Sequence, residues 1–181
     1  MIESERLILR PWRDADREPF WAMACDDRVM AYLPPLTRAE CDASVERMIA
    51  IERTHGHVFW ALERKAEGDF IGFCGVLPPR SPIFEYEIGW RIAYRAWGQG
   101  LAREAAAVSL DWVWANLPVP AVMAITNLAN TRSWGLMERL GMVRYPDEDF
   151  DHPDLPKGDP LRPHILYRIH RPQLQHPPPS A

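Results

Sequence analysis

Between Phe84 and Ile92, bulky apolar side chains fall on every second position: Phe84, Tyr86, Ile88, Trp90 and Ile92. Glu85, Glu87, Gly89 and Arg91 stand between them. A period of two predicts a strand with one buried face. Gly98 and Gly100 break the pattern. From Leu101 the small and apolar residues Ala102, Ala105, Ala106, Ser109, Leu110, Val113 and Trp114 recur at helical spacing until Pro118. Ala121 to Thr126 is a short apolar run and predicts another strand. A helix joining two such strands is a crossover, so the strands should pair in parallel.

The rest of the chain divides by the same rules. Glu5 to Arg10 alternates as a strand and stops at Pro11, and Asp14 is expected to cap a short helix over Ala15 to Ala24 that tolerates Pro19 near its start. Asp26 to Leu33 predicts a turn or half-helix. Thr37 predicts the cap of a helix over Arg38 to Thr54, with a stripe of Ala43, Val45, Met48, Ile49 and Ile51 and a stop at Gly56. Val58 to Leu62 and Phe70 to Leu77 form a predicted hairpin turning near Gly68 and Asp69. Asn130 opens a last helix with Trp134, Leu136, Met137 and Leu140 on its buried face. Gly141 ends it, a strand follows from Met142 to Tyr145, and His164 to Ile169 should close the sheet. Pro146 to Pro163 carries five prolines and no period, which predicts a long loop. A single domain over 1–171 is expected, with a mobile proline-rich tail over 172–181.

The strand, glycine turn and helix between Glu85 and Ala102 put free helix N–H groups beside flexible backbone, a ready site for an anion. The turn fails two better-known phosphate patterns. No Lys-Ser or Lys-Thr follows the glycines, and Arg103 stands where a dinucleotide fingerprint needs its third glycine. About thirty residues beyond Trp97-Gly98-Gln99-Gly100-Leu101-Ala102 lies Asn130-Thr131-Arg132-Ser133, opening a helix that ends in Glu138-Arg139-Leu140-Gly141-Met142. Together, in this order, the two motifs resemble the GNAT superfamily of acetyl-CoA-dependent N-acetyltransferases. Within it, the chain looks most like the branch of the RimJ and RimL ribosomal-protein acetyltransferases. The resemblance spans roughly Arg6 to Arg168.

That resemblance implies an α/β (α+β) fold: a mixed, mostly antiparallel sheet of about seven strands, splayed at the cofactor site, with about four helices. It implies acetyl transfer from acetyl-CoA (coenzyme A) to an amine by direct attack on the thioester. The backbone of Gly98, Gln99, Gly100, Leu101 and Ala102 would hold the pyrophosphate. Family loops usually begin with Gln or Arg. Aligning Gly100 and Ala102 with the loop, the preferred register, puts Trp97 at that position, whereas aligning Gly98 and Gly100 puts Arg95 there, and Arg95 or Arg103 would add charge. Trp90 and Ile92 would offer backbone to the pantetheine arm, Asn130 its side-chain amide, and a bulge near Gly89 an oxyanion donor. Glu87 is the expected general base. Many members carry a tyrosine acid where this chain has Met137, so Ser133 is the expected substitute. Acceptor binding is expected at Asp149, Asp151 and His152, in a loop whose acids Asp147, Glu148, Asp149, Asp151 and Asp154 would attract a cationic amine. His152 and His164 are further candidates because histidine titrates near neutrality.

Composition narrows the partners. With 181 residues, 47% apolar content and eight Trp, the chain can bury one substantial core. A net charge of −4, with 19 Arg and two Lys scattered along the chain, gives no basic field for nucleic acid. No membrane-length apolar run and no signal-like segment is seen, which predicts a cytoplasmic protein away from the membrane, as monomer or homodimer. Cys25, Cys41 and Cys74 lack zinc or disulfide spacing, and no metal site is expected. The acceptor is expected to be the α-amine of a protein or peptide. An α-amine of pKa about 7.7–8.0 is neutral far more often at pH 7 than a lysine near about 10.4. The alternatives are a small amine, such as an antibiotic, polyamine or amino acid, or a catalytically weak acetyl-CoA-binding module.

Overall fold

The computed structural model describes residues 1–81 and 83–172, so the predicted tail beyond Pro172 lies outside the described residues. In order, the elements are β1 (Ile2–Glu3), β2 (Leu7–Arg10), α1 (Arg17–Ala24), α2 (Asp27–Met30), α3 (Arg38–His55), β3 (Phe59–Arg64), β4 (Phe70–Leu77) and β5 (Glu87–Ile92). There follow α4 (Leu101–Asn116), β6 (Ala121–Asn127), α5 (Thr131–Arg139), β7 (Val143–Arg144), β8 (Phe150–Asp151) and β9 (Pro163–His170). One mixed sheet runs β1-β2-β3-β4-β5-β6-β9-β7, with β8 also paired to β9. Among the described residues only β5 and β6 pair in parallel, as the crossover through α4 requires. The strand count exceeds the expected seven because β1 and β8 are two-residue strands too short to show a period, whereas the strand expected over Met142 to Tyr145 is present as β7.

The sheet's two faces carry different cores. Ile88 and Ile92 of β5 pack with Ala105, Ala106, Leu110 and Val113 of α4 and with Met137 of α5. On the other face, Phe20 and Met23 of α1 and Cys41 and Val45 of α3 pack on Trp12, Ala61, Phe70 and Phe73. Cys41 is buried and Ala43 exposed, so the stripe of α3 begins on the cysteine and not on the alanine expected. The helix ends follow local rules: Thr37 and Glu40 cap each other's backbone, and Gly56 closes α3 at φ 75°.

Two local expectations fail for identifiable reasons. Asp14 does not cap a helix. It lies exposed in a 3-10 turn, and the backbone N–H of Arg13 is taken by buried Asp16, whose carboxylate also receives two hydrogen bonds of 2.8 Å from Arg10. The stretch from Pro146 to Pro163 is no bare loop. A 3-10 turn at Pro146–Glu148 and strand β8 order it, and Asn127 reaches in to donate to the carbonyls of Pro160 (3.0 Å) and Pro163 (3.1 Å). Those partners are remote in sequence, so no periodicity could announce them.

Candidate active site

Strand β5 is the hinge of the site. Six consecutive residues pair it with β4, whereas β6 meets it at one pair, Glu87 with Met123. The Met123 N–H donates to the Tyr86 carbonyl at 2.9 Å, so Tyr86, Ile88, Trp90 and Ile92 direct their main-chain groups toward β6. Beyond the single pair, the backbone of Trp90 and the N–H of Ile92 have no β6 partner. Unpaired strand groups of this kind are satisfied by water or by a ligand. The Ile92 carbonyl is already used, accepting the Trp97 indole N–H at 2.7 Å.

Because β5 and β6 are parallel, the helices that follow them begin at the same end of this open seam. Gly98 (φ 74°) and Gly100 (φ 77°) take left-handed backbone between β5 and α4, and no side chain caps the first turn of α4. A side chain at Gly98 would project into open space, so the first-turn N–H groups face room for an anion. The loop is held from behind. Arg6 donates to the Gln99 carbonyl at 2.9 Å and pairs with Glu104 at 2.6 Å. Burial opposes charge on Glu104, but hydrogen bonds from Ser4 and Arg6 outweigh it and keep the carboxyl below its usual range.

Asn130 caps α5 by accepting from the Ser133 N–H at 3.3 Å. Arg132, one residue into that helix, lies over the Trp97 ring at 4.9 Å, which joins the two motifs in space. Arg95 does not reach the glycine loop. Its guanidinium pairs with Asp69 at 2.8 Å, whereas Arg6 holds the loop and Arg132, for which the sequence assigned no role, lies over Trp97. Met137 is buried in the core at 1% exposure, and no described group takes the Ser133 hydroxyl.

On the opposite face of the seam, Glu87 is buried and ion-paired to Arg80 from the β4–β5 connection. His164 of β9 faces His152, their rings 5.1 Å apart, with Phe150 against both. The Nδ1 of His164 is 3.0 Å from the Arg162 carbonyl. A carbonyl only accepts, so Nδ1 carries the hydrogen and the neutral ring leaves Nε2 free as an acceptor. Burial pushes the His164 pKa down, against smaller opposing effects of the Arg162 carbonyl and Glu87, so the ring is neutral at pH 7.

Two expectations need correction here. No bulge occurs near Gly89, because the β4–β5 register runs unbroken through Gly75 and Gly89. Gly89 is small for a different reason: the Phe59 ring covers it, and a Cβ there would come within 2.6 Å of that ring. The acids of the proline-rich stretch are not a free rim either. Glu148 pairs with Arg168, Asp149 with Arg144 and Asp151 with Arg162, so the field expected to attract a cation is largely cancelled.

Among the described residues no group of His, Cys, Asp and Glu can hold a metal ion, and no helix is long and apolar enough to cross a membrane. Residues 6–143 match the family model for the acetyltransferase (GNAT) domain. The chain is similar to YkkB of Bacillus subtilis, 30% identical over 78% of this chain and 84% of that one. Among solved structures it resembles an acetyltransferase from Agrobacterium tumefaciens, with a TM-score of 0.77 and 26% identity over 93% of each chain. The ribosomal-protein-S5-alanine acetyltransferase of Vibrio fischeri shares the fold, with a TM-score of 0.74 at 18% identity over 94% of this chain and 96% of that one.

Proposed function

The chain belongs to the GNAT acetyltransferase family, and from that premise we propose that it transfers acetyl from acetyl-CoA to the α-amine of a peptide or protein. We place it near the RimJ/RimL-like branch. The observation that carries acetyl transfer is the open seam: unpaired strand backbone at Trp90 and Ile92, flanked by the first turns of α4 and α5. Bound there, acetyl-CoA supplies the electrophile, an acetyl thioester. The N–H groups from Gly98 to Ala102 hold its pyrophosphate, Trp90 and the Ile92 N–H receive the amides of its arm, and Asn130 and Ser133 line the same end.

As the amine nitrogen bonds the acetyl carbon and the carbon–sulfur bond breaks, the proton of the amine would go to His164 and coenzyme A would leave as its thiolate. Glu87, the base expected from sequence, is engaged by Arg80, whereas His164 Nε2 is an unprotonated acceptor beside the same seam. Glu87 then orients Arg80 and biases the field around His164. A neutral imidazole accepts a proton readily from an amine already near its own pKa, which favours an α-amine over a lysine. The cancelled charge of Asp149 and Asp151 argues against a polyamine, because little anionic field remains to gather one.

The test uses peptides carrying both an α-amine and a lysine, with acetylated positions read by mass spectrometry. Acetyl mainly on lysine overturns the acceptor assignment. Since His164 titrates below its ordinary 6.5, kcat should fall as pH drops through a midpoint under that value. His164→Gln should lower kcat by ~10²–10⁴ and abolish that acid limb. A variant that keeps the limb removes His164 from the mechanism.

A further inference from the structure

Glu87, Gly89 and Arg91 project from one face of β5, away from α4, at intervals of two residues. Next to Gly89 on this face lies an apolar ledge, where the Phe59 and Phe73 rings stack at 5.6 Å and 12° with Phe59 covering the glycine. Arg91 stands at the far end of that ledge, its guanidinium carbon 5.4 Å from the Phe73 ring. The side chain is partly enclosed, and among the described residues no carboxylate, carbonyl or hydroxyl lies within hydrogen-bond or ion-pair reach of it.

This sets Arg91 apart. Every other described arginine that is not solvent-exposed reaches an anionic or carbonyl oxygen, including Arg10 on Asp16, Arg64 on Asp69, Arg80 on Glu87, Arg162 on Asp151 and Arg171 on main-chain carbonyls. A cation kept partly out of water without a counter-charge is costly, and burial pushes its pKa down to about 10. A hydrophobic residue would pack on Phe73 and Cys41 at no such cost. The guanidinium fork suits one kind of ligand above others, a planar carboxylate held by two parallel hydrogen bonds.

We infer that Arg91 is a specificity residue that pairs with a carboxylate on the acceptor, and that the acceptor is an amine bearing a carboxylate a short apolar span away. This deepens the proposed transfer to an α-amine and rests on it. Gly89 and Arg91 are two residues apart on the strand, about 7 Å. That distance suits the side-chain carboxylate of an N-terminal Glu or the free terminus of a dipeptide, with the intervening carbons on the Phe59 ledge.

The experiment compares two matched pairs of acceptors. Glu-initiated and Gln-initiated peptides with amidated C-termini probe a side-chain carboxylate, and Ala-Ala against Ala-Ala-amide probes a terminal one. In the wild type, kcat/KM should favour the carboxylate member of at least one pair by tenfold or more, and the pair that responds identifies the source. Arg91→Met should reduce that ratio to within about twofold, and Arg91→Lys should keep an intermediate ratio. The thermal midpoint of Arg91→Met should hold or rise, since an unpaired cation has been removed. Equal kcat/KM within both pairs, or a preference that survives in Arg91→Met, overturns the assignment. If no amine is acetylated, acetyl transfer to α-amines fails while the carboxylate site is still decided, by calorimetric binding of the same peptides to the coenzyme A-loaded protein. Tighter binding of the carboxylate member, lost in Arg91→Met, supports the site, and equal binding within both pairs refutes it.

Discussion

Strand β5 treats its two neighbours in opposite ways. Toward β4 it is zipped through six residue pairs, with an approach so close at Gly72 that a Cβ there would meet the Arg91 carbonyl. Toward β6 it touches once, at Glu87 and Met123, and then leaves its backbone open. The closed seam carries stability, with Ile88 and Ile92 set into the core beside it. The open seam carries chemistry, because unpaired main-chain groups and the uncapped start of α4 are what a long anionic cosubstrate can use.

The comparison is broken most severely from the closed side. In Gly72→Ala the new Cβ would lie 2.1 Å from the Arg91 carbonyl oxygen, on backbone of φ 137°. Neither strand can yield without losing register, so a loss of roughly 3 kcal/mol or more is expected, read as a lowered midpoint in urea. On the open side Gly100→Val should lower the thermal midpoint less than Gly72→Ala does, through strain at the left-handed backbone, and weaken coenzyme A binding at least tenfold by calorimetry. A β-branched residue resists φ 77° and narrows the anion's approach. The smallest effect separates two arginines. Arg132→Ala, stripping the cation over Trp97, should weaken coenzyme A about fivefold, or about 1 kcal/mol. Arg95→Ala should leave that affinity unchanged, because its partner is Asp69.

What the sequence disclosed and what it hid follow the same division between local and distant causes. The Thr37 cap, the Gly56 stop, the crossover through α4 and the glycine loop are all written in neighbouring residues, and each was legible. The β4–β5 seam was legible as two strands but not as a tight one, so Gly89 suggested a bulge when its real neighbour was Phe59, thirty residues earlier. His164 was an isolated histidine beside a proline until β8 and β9 brought Phe150 and His152 against it. The acids of the proline-rich stretch read as a free cluster because Arg144, Arg162 and Arg168 acquire them only through tertiary pairing. Arg91 was read from its alternation alone; that it lacks a partner is visible only once every neighbour is in place.

The single ladder pair of Glu87 with Met123 has a mechanical meaning. Apart from it, the sheet is two leaves: β1 to β5 zipped on one side, and β6, β7, β8 and β9 on the other, where β6 and β9 share seven pairs. Each leaf is continuously paired strand to strand, and the chain link between them is α4, whose inner face lies against β4 and β5. Such a sheet can open locally like a book, with its spine at Glu87, at a fraction of the free energy of global unfolding. A cosubstrate lodged between the leaves would act as a staple, adding to the shared core and the Arg168–Glu85 pair that already join them.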